Sequence, residues 1–126
     1  MGLYNVSGDG TAAGGWEAQL RKGCLELAIL ASVWHGQHYG LEILRVLAET
    51  SSLQVAEGTL YPILARLKAD GLLQSEWVEA EAGHPRKYYR LTASGRRRTR
   101  EMAEAWREFS SNLSAVIQPV LKGAAK

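Results

Sequence analysis

Residues 57–73 read EGTLYPILARLKADGLL. Leu60, Ile63, Leu64 and Leu67 recur at steps of three and four, which predicts an amphipathic helix over 57–70 with Gly71 closing it. The same phasing puts Gly58, Pro62, Ala65 and Ala69 on the opposite face, with Thr59, Tyr61 and Arg66 on its shoulders. That outward face is low. A major groove about 12 Å wide admits a helix only if its leading face does not hold it off the base edges, so the low face suits duplex DNA. Thr59, Tyr61 and Arg66 then stand where bases or phosphates can be touched. Pro62 lacks an N–H and presses on the carbonyl of Gly58, costing one helical bond near the N-terminus, where such strain is most easily relieved. An ordinary surface helix with a tolerated proline fits the periodicity equally well, so the neighbouring segments have to decide.

Upstream, Leu20, Cys24, Leu27, Ala28, Ala31 and Trp34 share one face of a helix predicted over 19–34, while Leu25, Ile29, Leu30 and Val33 cover much of the rest. A helix apolar on so many sides is buried on several of them. After Gly36 the period resumes over 39–48, with Ile43, Leu44 and Leu47 inward. Downstream, 72–80 and 86–91 are rich in Trp, Val, Tyr and Leu and flank EAGHP, a turn-forming run, so a β-hairpin is expected. Thr92 is placed to cap a long helix to about 118, in which Met102, Trp106, Phe109, Leu113, Val116 and Val120 step by fours and threes. Helix, helix, helix, hairpin is the order of a winged helix-turn-helix. The fold expected is mainly α with a small β-hairpin: a winged helix-turn-helix over 16–92 and a C-terminal dimerisation helix and tail over 93–126. The first fifteen residues hold five glycines and no hydrophobic period, and read as a flexible arm.

LELAILA in the first helix, YGLEIL in the second, EGTLYPILARLKADGLL, Trp77 and then GHPRKYYRLTASG together resemble the PadR family of bacterial transcriptional regulators. The resemblance is close over some seventy residues and looser along the last helix. It implies a homodimer that binds palindromic operator DNA through helix 57–70 and a wing over 80–87, usually as a repressor released by a small molecule or other signal. On that basis Thr59, Tyr61 and Pro62 belong to the recognition helix, Tyr39 contacts a phosphate, and Arg86 and Lys87 belong to the wing. One departure stands out: the family commonly has Ser where this chain has Ala56, a loss of N-cap worth about 0.5–2 kcal/mol of helix stability, so a later or more frayed start is expected.

Charge is concentrated rather than abundant. The net charge is only +2, yet Arg86, Lys87, Arg90, Arg96, Arg97, Arg98 and Arg100 fall in one run with no acidic residue. Arg86 and Lys87 beside the wing turn can reach phosphates, giving affinity that falls with salt, and His84 can add a contact that changes near neutral pH. Glu76, Glu79 and Glu81 repel phosphates, so one side or the tip of the wing must face the duplex. For Arg96 to Arg100 a solvated helix start paired with Glu101 and Glu104 is the competing reading.

The seam Met102, Trp106, Phe109, Leu113, Val116 sits on a chain too short to fold back over it, which implies a second copy and two recognition helices about one DNA turn apart. The multi-faced first helix is the expected receiver of the partner's last helix. Some multidrug-sensing relatives carry a Trp at the place of Trp106, so Trp106 and Phe109 are candidates for holding a flat hydrophobic effector, against simple filling of the dimer core.

Other chemistry has little to stand on. A chain of 126 residues bounds one domain. Cys24 is the only cysteine, which excludes internal disulfides and suits a cytoplasmic setting; it reads as a small core residue. No membrane span or signal peptide is expected. His35 and His38 make half a metal site without further ligands at suitable spacing, so no metal or other cofactor is expected. No phosphate loop, paired carboxylates or nucleophile elbow points to catalysis. The remaining alternative is a winged-helix protein-interaction module that binds no DNA.

Overall fold

The computed structural model describes residues 11–79 and 83–123. Its elements run α1 (Thr11–Ser32), β1 (His38–Tyr39), α2 (Gly40–Ala48), a 3₁₀ turn (Ser51–Leu53), α3 (Glu57–Ala69), β2 (Leu73–Val78), β3 (Arg86–Leu91) and α4 (Ala93–Gly123). The helical period therefore translates into three short-range helices, a hairpin and a long last helix, as the winged helix-turn-helix pattern requires. None of the described helices is long and apolar enough to cross a membrane.

The core is a single cluster. Leu25, Ile29, Leu30 and Val33 of α1, Ile43 and Leu47 of α2, Leu60, Leu64 and Leu67 of α3, Leu73 of β2 and Tyr89 of β3 are all buried together. On α1 the face turned to this core is the one through Leu25, Ile29 and Val33. The face through Leu20, Cys24 and Leu27 looks instead toward α4, and Ala31 is exposed. Both faces are apolar, so the period alone did not rank them.

α3 ends as its sequence dictates. Gly71 takes φ +79, its N–H donates to the Lys68 carbonyl at 3.0 Å, and the Leu72 N–H donates to the Leu67 carbonyl at 3.0 Å. This is a Schellman closure, and Leu72 packs against the core as such closures favour. At the other end Ala56 occupies the N-cap without a side-chain bond. The helix nevertheless begins at Glu57 and not later, because the Thr59 and Leu60 N–H groups both donate to the Ala56 carbonyl at 3.0 Å and Leu60 is anchored in the core.

A two-residue strand, β1, was not expected. It pairs His38 with Tyr89 and Tyr39 with Tyr88, giving an antiparallel sheet in the order β1-β3-β2. The stretch is too short to show a period of two, so only the pairing reveals it. The consequence is that the start of α2 is hydrogen-bonded to the wing.

α4 departs from expectation at its end. It continues through Pro119 to Gly123 instead of stopping near 118. Pro119 removes one bond, to the carbonyl four residues earlier, and that turn is exposed, so water can satisfy the freed group. Its start is fixed by Thr92, whose Oγ1 accepts from the Gly95 N–H at 2.8 Å and donates to the Gly71 carbonyl at 2.6 Å. Gly95 is needed there, since a Cβ would run into the Leu72 carbonyl.

α1 starts at Thr11, inside the segment read as a flexible arm. Gly14 and Gly15 each cost a helix about 1 kcal/mol relative to Ala, yet the helix includes them. Residues 1–10 of that arm, residues 80–82 of the wing with Glu81, and the tail 124–126 lie outside the described residues.

Candidate nucleic-acid interface

The low face of α3 is free. Gly58, Thr59, Pro62, Ala65 and Ala69 are exposed, and nothing lies within 4 Å of where a Cβ on Gly58 would sit. The inward leucines leave this face no alternative, because they are fixed in the core.

Tyr61 belongs to the shoulder rather than the leading face. It is 39% exposed and its hydroxyl lies directly on Gly40, so closely that a Cβ at Gly40 would collide with it. The first residue of α2 is therefore a glycine because Tyr61 of α3 leans on it. Burial, then the nearby Glu57 carboxylate, raises the Tyr61 phenol pKa, and burial followed by Tyr61 raises that of Tyr89. Both shifts keep the neutral hydroxyl, a donor as well as an acceptor, to higher pH.

β-strand alternation splits the wing cations. Arg86 and Tyr88 point to one face of the sheet, Lys87 and Tyr89 to the other. The Arg86 guanidinium lies over the Tyr39 ring at 4.5 Å, and the Tyr39 and Tyr88 rings meet edge-on at 5.4 Å. On the opposite face the Lys87 ammonium stands 5.7 Å from the Trp77 ring and 5.9 Å from the Tyr89 ring. A cleft of about 430 Å³ joins these groups, bounded by Tyr39, Gly40, Tyr61, Trp77, Arg86 and Lys87. Aromatic faces and two cations beside an open helix face can hold a polyanion while its bases approach α3.

The candidates separate accordingly. Tyr39, Tyr61, Arg86 and Lys87 come together, while Thr59 and Pro62 lie on the open face beside them. His84 is exposed in the wing just after Gly83, whose φ of +85 turns the chain. Arg66 is not in this group. Its guanidinium sits 3.7 Å from Glu26 of α1 and 3.8 Å from Asp70, so it bridges α3 to α1. Sequence reading missed Gly40, Tyr88 and Tyr89 as parts of the site. A cross-strand pairing of Trp77 with Lys87 was inferable from the hairpin, but the role of Gly40 was not.

The basic run further on is largely occupied within the chain. Arg96 donates to the Trp34 carbonyl at 3.1 Å and stacks on the Trp34 ring at 4.1 Å, with Arg100 at 5.2 Å from the same ring. Arg98 pairs with Glu101 at 3.5 Å, and Glu104 is taken by Arg107 at 3.1 Å. Arg96 and Arg100 thus tie α4 to the end of α1. Among the described residues no group of three His, Cys, Asp or Glu is placed to hold a metal ion.

The seam residues differ among themselves. Met102 is half-buried, packing on the core of its own chain while also bordering the cleft between α1 and α4. From Trp106 outward the row is exposed: Trp106 44%, Phe109 59%, Leu113 43%, Val116 72%. The Trp106 and Phe109 rings are 6.4 Å apart and border a cleft of about 440 Å³ between α1 and α4, shared with Leu20, Cys24 and Leu27. Cys24 is thus half-buried at a cleft wall rather than within the core.

Known proteins resemble this one in sequence and shape. The model of the transcriptional regulator PadR-like family matches residues 29–101. A transcriptional regulator of Mycobacterium tuberculosis is 46% identical over 57 residues, 45% of this chain and 52% of that protein. Among solved structures, a PadR-like transcription factor from Bacteroides fragilis is 42% identical with a TM-score of 0.66, covering 80% of this chain and 97% of its own. A PadR family regulator from Eggerthella lenta is 31% identical with a TM-score of 0.74, covering 83% and 91%. A winged hairpin, an open-faced third helix and a long last helix accompany a family match over more than half the chain: the protein belongs to the PadR-like family of transcriptional regulators, DNA-binding proteins that are not enzymes.

Proposed function

We propose that the protein acts as a homodimeric repressor in the cytoplasm, presenting two copies of α3 and the wing to a palindromic operator. The carrying observation is the row of exposed apolar residues on α4, from Trp106 through Leu113 and Val116 to Val120 (68%) and Leu121 (61%). Isolated exposed apolar residues are ordinary, but a continuous stripe over four turns of a helix is what a partner helix covers. A two-fold partner brings the recognition helices into register with successive turns of a symmetric site.

On each half-site, Thr59, Tyr61 and Pro62 approach the bases, and Arg86, Lys87 and His84 engage phosphates or the minor groove. Phosphate contacts supply affinity and the α3 contacts supply sequence preference. The cleft beside Trp106 and Phe109 supports release by a flat hydrophobic effector: its size suits a small molecule and its walls are mostly apolar, with Arg98 and Glu101 at one side. An effector wedged between α1 and α4 alters the spacing of the half-sites and so lowers operator affinity.

Sedimentation at micromolar concentration and footprinting on a duplex the protein selects from a random pool test the reading together. A dimer protecting two symmetric half-sites is expected. A monomer, or a single unsymmetrical footprint, overturns it. Tyr61→Ala should weaken binding by at least about 1 kcal/mol with the dimer intact. Quenching of Trp106 by planar dyes, lost in Trp106→Ala, is the expected mark of the effector site.

A further inference from the structure

We infer that Tyr39 serves DNA binding through the face of its ring, as the platform that aims Arg86, and not through its hydroxyl. The inference rests on the wing contact proposed above for Arg86 and assigns the residue that positions it.

Three observations converge on this role. First, the backbone of Tyr39 is immobilised: it occupies the N-cap of α2, its N–H donates to the Glu42 carboxylate at 3.0 Å, and it pairs with Tyr88 of β3. Second, its ring is braced edge-on by Tyr88 at 5.4 Å, so it is held at two points. Third, the Arg86 guanidinium lies 4.5 Å above that ring, while Arg86 has no carboxylate partner among the described residues and is itself exposed.

A long arginine on the first residue of a strand would otherwise sample many rotamers, and ordering it on DNA costs free energy. Stacking on a fixed aromatic face lowers that cost while leaving the guanidinium edge and its N–H groups free to meet a phosphate. β1 now has a purpose. Two residues of strand add little to sheet stability, but they set the Tyr39 ring beneath the wing.

The test uses the full-length protein and a duplex it selects from a random-sequence pool, with affinity measured by anisotropy over a range of salt. Tyr39→Phe keeps the platform and should bind as the parent does, with the same salt slope. Tyr39→Leu removes it and should bind about threefold to fivefold more weakly. Arg86→Ala should bind more weakly still, with a salt slope lower by about one. In the Arg86→Ala background, Tyr39→Leu should have no further effect. Should Tyr39→Leu fold poorly, Tyr39→Met replaces it in the same cycle, with melting temperature as the control.

Tyr39→Phe losing as much as Tyr39→Leu would mean a hydroxyl contact and overturns the inference. So does a full Tyr39→Leu penalty that persists without Arg86, while the wing contact itself survives. Unchanged affinity and slope in Arg86→Ala remove the wing contact and the inference together.

Discussion

The residues of α3 and those on the outer half of α4 each carry a row of apolar side chains, yet one row is sealed and the other bare. Leu60, Leu64 and Leu67 are fully buried by α1, α2 and β2, whereas Leu113, Val116 and Val120 face solvent. The first set buries its apolar surface inside the chain and leaves a low outer face of small residues open. The second leaves its apolar surface exposed, which is the surface the proposed partner helix would cover. In the proposed reading amphipathicity therefore has opposite uses in the two helices: in α3 the outward face meets DNA, and in α4 the apolar face meets a second copy.

Several substitutions break or sharpen this contrast. The largest effect is expected on α4. Leu113→Glu would bury a carboxylate without a partner in the proposed seam, weakening the dimer by roughly 3–5 kcal/mol. Sedimentation should show monomers with an unaltered circular dichroism spectrum, because the winged domain does not use Leu113. If the substitution instead unfolds the chain, the two helices are not used differently.

Leu64→Ala is the converse. It should cost about 3 kcal/mol of folding stability by leaving a cavity at the centre of the core, read by urea denaturation. Operator affinity measured well below the midpoint should change little. A loss of affinity without a loss of stability would place Leu64 in the wrong role.

Gly40→Ala probes the edge between core and interface. The new methyl group displaces the Tyr61 ring, and overpacking of this kind costs about 1–3 kcal/mol. Most of that penalty should vanish in a Tyr61→Ala background, because the collision is gone. Equal penalties in both backgrounds would show that Gly40 is needed for some other reason.

The smallest change is at the start of α3. Ala56→Ser supplies the missing N-cap oxygen and should raise stability by about 0.5–1 kcal/mol, seen as a higher melting temperature. Because the first turn is already held by the Ala56 carbonyl and by Leu60, a larger gain would mean that it frays more than these contacts allow.

Much of the architecture was legible in the order of residues. The step of three and four through Leu60, Leu64 and Leu67 set α3, Gly71 set its end, and Thr92 set the start of α4. The apolar row from Trp106 to Val116 was legible too; that its inner end, at Met102, also packs on the core of its own chain was not. The part of the site carried by α3 followed directly: once the inner face is assigned, the outer one is fixed by geometry. Arg66 lay on that outer arc and was still drawn off by Glu26, a residue on a different helix.

What the sequence by itself determined is thus the set of local features, since periods, caps and turns act between residues a few positions apart and need no third party. The tertiary structure alone decided which of two apolar faces of α1 enters the core, that Tyr61 rests on Gly40, that Tyr39 lies beneath Arg86, and that Arg96 and Arg100 close on Trp34. Each of those pairs joins residues from separate elements, and no local periodicity encodes such a meeting. It arises only when β1 pairs with β3 and the helices settle into one core.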